Sequence, residues 1–109
     1  MQITESKSGA WTVLTLSGKI DNPGSDELKA RLLPLMTGGA VALDFTDVEY
    51  ITSSGFRALM IAHKEQAAKK GRIVLGNMND SLRGFFEMAG LSVVFKIVAD
   101  IKPVIAAAP

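Results

Sequence analysis

The chain has no cysteine in its 109 residues. That excludes disulfides, thiolate nucleophiles and cysteine-ligated zinc, and it is compatible with a reducing compartment. Charge of one sign is also missing: twelve basic and eleven acidic side chains leave a formal net charge of +1. No overall field favours nucleic acid, and no basic run extends beyond Lys69-Lys70. No apolar stretch approaches the roughly 20 residues that span a bilayer. The opening MQITESKSGAW lacks the apolar core of a signal peptide. A single histidine, His63, leaves little for acid–base chemistry or metal ligation. There is no P-loop, no G-x-G-x-x-G and no His-rich metal motif. The expectation is a cytoplasmic, soluble protein with no cofactor, no metal, no nucleic-acid partner and no membrane.

What is present is an ordinary globular mix, 48% apolar and 21% charged, in a length that suits one domain over residues 1–109. The organising stretch is ALDFTDVEYITSSGFRALMIA, residues 42–62. Val41 to Phe45 reads as a nearly all-apolar central strand, covered on both faces. Thr46-Asp47-Val48-Glu49 reads as an acidic turn. A helix then runs from Ser53 to about Lys70, with Phe56, Leu59, Met60 and His63 on one side and Gly71 as its C-cap. Thr52, Ser53, Ser54 and Gly55 crowd its start. A helix N-terminus has spare N–H groups and a partial positive charge, so it suits an anionic group. With Thr52 as N-cap, its hydroxyl would accept from Ser54 or Gly55, and Ser53 would be the first helical residue, pointing outward.

Around this stretch, Gln2 to Lys7 and Trp11 to Leu16 read as a hairpin that Gly18 ends. Asn22 before Pro23, or Ser25 further on, would cap a helix whose apolar stripe is Leu28, Leu32, Leu35 and Met36. Pro34 should end or kink it near Leu33. Arg72 to Leu75 is a strand, Asn79 to Ala89 a helix stopped by Gly90, and Val93 to Val98 a last strand. Asp100 can cap a short terminal helix. Strands alternating with helices after a hairpin imply an α/β protein with a mixed sheet, parallel in its later part. In such sheets sites gather at strand C-terminal ends, where Ser53 falls.

These residues resemble the STAS domain of bacterial anti-sigma factor antagonists, or anti-anti-sigma factors. The most specific part is ALDFTDVEYITSSGFRAL, similar to the family's apolar strand, short turn, and Asp-Ser-Ser-Gly-Leu opening a helix. LSGKIDNPGSDELKARL and GRIVLGNMNDSLRGFFEMAGLSVVFKI add support. The resemblance implies the STAS fold: a four- to five-stranded mixed β-sheet with an N-terminal hairpin and three to four α-helices. It aligns the family's signature serine with Ser53 and places Thr52 where the family usually has Asp. It implies a partner switch. The unphosphorylated protein binds an anti-sigma factor that is also a serine kinase of the histidine-kinase-like ATPase fold. Phosphorylation of Ser53 releases it, and a PP2C-type phosphatase resets it. Asp21, Thr52, Ser53, Ser54, Gly55, Phe56 and Arg57 are the implied partner-contact residues. A non-phosphorylated interaction subunit, in a stressosome-like or phospholipid-transport complex, and a nucleotide-binding module are the alternatives.

Each site residue also has a plainer reading. Serines crowd helix starts as caps. Asp21, Asp44 and Asp47 could form an acidic trio, but Asp44 and Asp47 more simply end a strand and hold a turn. His63 reads as a packed, hydrogen-bonded core residue, and Arg57 as either a phosphate contact or one more exposed arginine. Ser53-x-Gly55 after a strand fails as a hydrolase elbow, because Ile51 stands where the first glycine belongs. No enzyme is expected.

Overall fold

Gly9, at φ +58°, closes an antiparallel hairpin between strand β1 (Gln2–Ser8) and strand β2 (Trp11–Ile20) in the computed structural model, which describes residues 1–109. Helix α1 (Asn22–Leu32) follows, then a 3-10 turn over Leu33–Leu35 that contains Pro34. Strand β3 (Ala40–Ile51) leads into helix α2 (Ser53–Ala68), strand β4 (Arg72–Gly76) and helix α3 (Asp80–Met88). A 3-10 turn over Leu91–Val93, strand β5 (Lys96–Val98) and the short helix α4 (Lys102–Ile105) complete the chain. The sheet order is β1-β2-β3-β4-β5; only the first pair is antiparallel.

The two faces of the sheet are covered unequally. One face buries Leu14, Leu16, Leu43, Phe45 and Leu75 against Leu28 and Leu32 of α1, Leu59 and Ala62 of α2, and Leu82 and Phe86 of α3. Burial of one such side chain contributes about 1.5–3 kcal/mol, so this layer carries most of the apolar stabilisation. The other face has only Trp11, Val13, Ala40, Ala42, Val74 and Ile101, with Val104 and Ile105 of α4 laid over them. The central strand is therefore covered on both faces, but on the second only by a single short helix.

Two expected breaks are absent. Gly18 does not end β2; it sits within the strand at φ +96°, and β2 runs on to Ile20. The acidic segment Thr46–Glu49 is not a turn; it is part of β3. The reason is a pair of bulges. Along the β2–β3 ladder, Thr15 pairs Asp44, Ser17 pairs Asp47, Gly18 pairs Val48 and Lys19 pairs Tyr50. Twice β3 spends one residue more than β2. Each extra residue shifts the alternation of faces, so Phe45, Val48 and Ile51, three apart in sequence, all enter the same core layer. No period-2 pattern survives such a shift, which is why the segment reads as a loop.

Helix ends also differ from the sequence reading. The N-cap of α1 is Asp21, whose Oδ1 accepts from Gly24 N at 2.9 Å, not Asn22 or Ser25. Ser25 instead donates back to Asp21 O at 2.7 Å. Gly71 is not the left-handed stop of α2; Lys70 takes φ +60°. Gly71 is there for space, because the Gln66 amide occupies the position of any Cβ it would carry. The last strand is shorter than expected: Val93 closes a 3-10 turn, Val94 and Phe95 follow it outside the sheet, and only Lys96–Val98 pairs with β4. The start of α3 at Asn79, its stop at Gly90 and the Pro34 stop of α1 stand where the sequence puts them; Asn79 is the N-cap and Gly90 is left-handed at φ +74°.

Candidate functional site

β2 and β3 end side by side, and this fixes the site. Ile20 pairs Ile51 in the last rung of the ladder, and the residue that follows β3, Thr52, ties back to β2. Both Thr52 N and Thr52 Oγ1 donate to Ile20 O, at 3.0 and 3.1 Å. Asp21 and Ser53 therefore leave the sheet together, one capping α1 and the other opening α2.

Thr52 is the N-cap of α2 by backbone conformation, φ −95° and ψ 173°, but its hydroxyl makes no cap bond. This corrects the expectation that it would accept from Ser54 or Gly55; the hydroxyl is turned to donate to Ile20 O and accepts from neither. The first helical hydrogen bond is Phe56 N to Thr52 O at 3.1 Å. The N–H groups of Ser53, Ser54 and Gly55 open toward the helix start with no side-chain cap. α1 and α3, by contrast, are capped by Asp21 and Asn79. Because the Thr52 hydroxyl is a tether and not a cap, Thr52→Ala is expected to cost only about 0.5 kcal/mol of stability, since the backbone bond to Ile20 remains. Urea unfolding of the variant checks this; a loss above about 1 kcal/mol would restore the capping role.

Ser53 is the first residue of α2, exposed, with a hydroxyl that makes no hydrogen bond within the protein, as the sequence predicts. Ser54 is half-buried and donates to Asn22 Oδ1, which clasps the start of α2 to the start of α1. Asn22, expected as a helix cap, thus belongs to the site instead. Its polar side chain beside Pro23 is legible in the sequence, but a bond to a residue 32 positions away is not. Arg57, one turn beyond Ser53, is exposed; with Asn22, Lys29 and Ser54 it borders a shallow cleft of about 210 Å³ between α1 and α2.

Gly55 and Phe56 face inward. Gly55 is buried, and a Cβ there would lie 2.7 Å from Ile20 Cγ2 and closer still to Ile51. It offers no surface to a partner; it lets α2 sit directly on the last rung of the sheet. Phe56 is half-buried and packs edge-on against Phe86 of α3, centroids 5.0 Å apart, and Phe86 packs likewise on Phe45 at 5.9 Å. Of the set, Ser53 and Arg57 are exposed, Asp21, Thr52 and Ser54 are half-exposed, Phe56 is equally half-exposed with its ring on Phe86, and only Gly55 is buried.

The acidic trio does not converge. Asp44 Oδ1 accepts from Thr46 N at 2.9 Å and from Asn77 Nδ2 at 3.0 Å, and no three acidic or histidine side chains are grouped to hold a metal. His63 is not a hydrogen-bonded core residue: its half-buried ring packs on Phe95 at 5.3 Å, far along α2 from Ser53. No helix is long and apolar enough to cross a membrane.

Residues 3–99 match the profile of the family described as Mlab, STAS domain. The chain belongs to the STAS family. Among curated relatives of this STAS domain, the putative anti-sigma factor antagonist BtrV of Bordetella bronchiseptica is 28% identical over 99 residues, covering 89% of this chain and 85% of BtrV. The anti-sigma-B factor antagonist of Listeria monocytogenes is 29% identical over 84 residues, 75% of this chain and 74% of that protein. Among solved structures, the anti-sigma factor antagonist SpoIIAA in its unphosphorylated form superposes with a TM-score of 0.76 at 20% identity, covering 94% of this chain and 93% of SpoIIAA. The phosphorylated form of SpoIIAA, from Bacillus, gives 0.71 at 19%, covering 94% and 96%. At such identities the superpositions establish a shared STAS fold.

Proposed function

We propose that this STAS domain is an anti-sigma factor antagonist whose partner binding is switched at Ser53. Unphosphorylated, it binds an anti-sigma factor that is also a serine kinase of the histidine-kinase-like ATPase fold; phosphorylation of Ser53 releases it, and a PP2C-type phosphatase resets it. The observation that carries this reading is Ser53 itself: exposed, unbonded, and first in a helix with no side-chain cap. A phosphoserine adds about −1.5 to −2 charge at neutral pH. The open N–H groups and the dipole of α2 favour that charge within the protein. In a docked interface the same charge must be desolvated or meets acidic groups, and binding is lost. The fold need not change. Names of relatives such as the Listeria anti-sigma-B factor antagonist support the same partner class.

The test is recovery of the protein from its native host with and without phosphatase treatment, followed by mass mapping and identification of what co-purifies. Phosphate on Ser53, and a partner retained only after phosphatase treatment, are expected. Phosphate elsewhere, or undiminished labelling of Ser53→Ala, sinks the proposal. Ser53→Glu should weaken partner affinity by about 2 kcal/mol, the low end for an unpaired interfacial charge. Its melting temperature should stay at the wild-type value, because a carboxylate is favoured in a first helical turn. Calorimetric titration beside a thermal melt measures both, and unchanged affinity removes Ser53 from the interface.

A second reading is favoured by Thr52 standing where the family usually has Asp: an interaction subunit no longer switched by phosphate. Under it, Ser53 stays unmodified in the host, yet Ser53→Glu still disrupts binding.

A further inference from the structure

The sheet has two open edges, and they are not alike. β5 offers three residues, Lys96–Val98, a poor template for another strand. β1 offers seven, Gln2–Ser8, and five of them are exposed. It contains no proline, and its register against β2 runs from Gln2–Ser17 to Ser8–Trp11 without a bulge. Edges are kept from pairing by shortness, proline, bulges or charged side chains. β1 has only the last of these, Glu5 and Lys7, and their arrangement is self-complementary.

The direction of the free backbone groups follows from the turn. Ser8 and Trp11 flank the two-residue turn Gly9-Ala10, so they exchange both backbone hydrogen bonds. Bonded pairs alternate along an antiparallel ladder, which makes Ser6–Val13 and Thr4–Thr15 the next ones. The N–H and C=O groups of Ile3, Glu5 and Lys7 therefore point away from β2. Ile3 agrees with this: its carbonyl accepts from Arg31 Nη1 at 3.3 Å, a side chain that reaches it from α1. Ile3, Glu5 and Lys7 also share the face of the sheet that the three long helices cover. There Ile3 packs on the core, and Lys7 Nζ donates to Thr12 Oγ1 at 2.6 Å.

We propose that β1 pairs edge to edge, antiparallel, with β1 of a second copy of this chain, about a two-fold axis at Ser6. In this register Glu5 lies opposite Lys7 of the second copy, and Lys7 opposite its Glu5. The outward backbone groups of both residues are then paired, and two opposite-charge contacts form across the junction. Lys7 has three donors and gives one to Thr12, so it can serve both. Ser6 faces its own counterpart and Thr4 faces Ser8, all short hydroxyl side chains. A slip of one rung either way sets Glu5 on Glu5 or Lys7 on Lys7, which is repulsive. Charge thus selects one register. With Ile3 O held by Arg31, the shared ladder is Thr4 to Ser8 on each copy. So short a contact suits a weak dimer, formed and lost with concentration. It is isologous and closed, because each copy uses its one long edge and the β5 edges left outside are too short to propagate a filament. Ser53 lies beyond β3, on the other side of β2 from this edge, and the inference does not depend on the switch proposed there.

The test is sedimentation of the full chain from about 10 μM to about 1 mM, where weak self-association becomes measurable. A monomer–dimer equilibrium is expected. Glu5→Lys turns both opposite-charge pairs into like-charge pairs, so dimerisation should weaken at least about tenfold. The reversal Glu5→Lys/Lys7→Glu restores both pairs and should return the affinity to within about threefold of wild type. Both residues are exposed, and thermal melts of the variants control for the fold. A second reading is independent of charge, since the chain has no cysteine of its own. Under mild oxidation Ser6→Cys should cross-link to its counterpart, whereas Thr4→Cys, which faces Ser8, should not. A chain still monomeric at about 1 mM, equal dimerisation in Glu5→Lys, or cross-linking of Thr4→Cys as fast as Ser6→Cys would overturn the proposal. Should the reversal variant melt early, the two cysteine variants decide.

Discussion

Gly55→Leu is expected to destabilise the domain by about 3 kcal/mol from overpacking. From sequence alone the change looks mild, since leucine is a better helix former than glycine by under about 1 kcal/mol. The structure reverses the sign. Gly55 is buried where α2 crosses the end of the sheet, and its missing Cβ is what lets Ile20 and Ile51 fill the space beneath. Both are core residues on adjacent strands, so neither can turn away without moving β2 or β3. Gly55→Ala should already cost about 2 kcal/mol for the same reason. Urea unfolding gives these values, and a double-mutant cycle identifies the cause. Ile51→Ala opens a cavity that the new Cβ partly fills, so Gly55→Ala with Ile51→Ala should be less destabilised than the sum by about 1 kcal/mol. A Gly55→Leu protein as stable as wild type would show that α2 can ride up off the sheet, and additive effects in the cycle would place the cost elsewhere.

The second large effect is expected at Gln66. Replacing it with leucine keeps the volume and removes every hydrogen bond. Gly38 N then loses its acceptor, and Gly39 O and Arg72 O each lose a donor. The expected cost is about 2–3 kcal/mol, below a sum of three full penalties because Gly39 and Arg72 are open to water. Gln66→Glu distinguishes polarity from charge: its carboxylate can still accept from Gly38 N but cannot donate to the two carbonyls. It should be at least as destabilising as leucine at neutral pH. Chemical denaturation with an unchanged m-value would confirm a loss of native-state bonds. A Gln66→Leu variant within about 0.5 kcal/mol of wild type would mean that water replaces the amide fully.

These two residues mark the limit of what the sequence discloses. Punctuation was legible: Pro34, Asn79 and Gly90 end or begin helices by chemistry that acts within a few residues. The position of Ser53 as the first residue of α2 was legible for the same reason, and so was the mixed sheet implied by alternating elements after a hairpin. What failed to show was long-range. The bulges in β3 depend on its register against β2, so Phe45, Val48 and Ile51 share a face that no local period predicts. The Thr52 hydroxyl is turned away from the helix start to donate to a carbonyl 32 residues earlier. Gln66 is a polar residue within a helical pattern, and its burial follows only from the carbonyls that surround it. In the candidate site, the hydroxyl cluster and the apolar helix side that carries Phe56 were visible; which residues Gly55 and Phe56 pack on was not, because it depends on Ile20, Ile51 and Phe86.

Trp11 is the only tryptophan, and it is 2% exposed on the thinly covered face of the sheet. Its indole Nε1 donates to Ala107 O at 2.9 Å, and the neighbouring Ser8 hydroxyl donates to Ile105 O at 3.1 Å. Its optical signal therefore reports on one local event, the seating of the C-terminal segment over β2. Release of that segment would wet the indole and shift its emission to the red while the three long helices stay packed on the opposite face. Emission and far-ultraviolet dichroism recorded on the same denaturation curve would then part company, the fluorescence change arriving first.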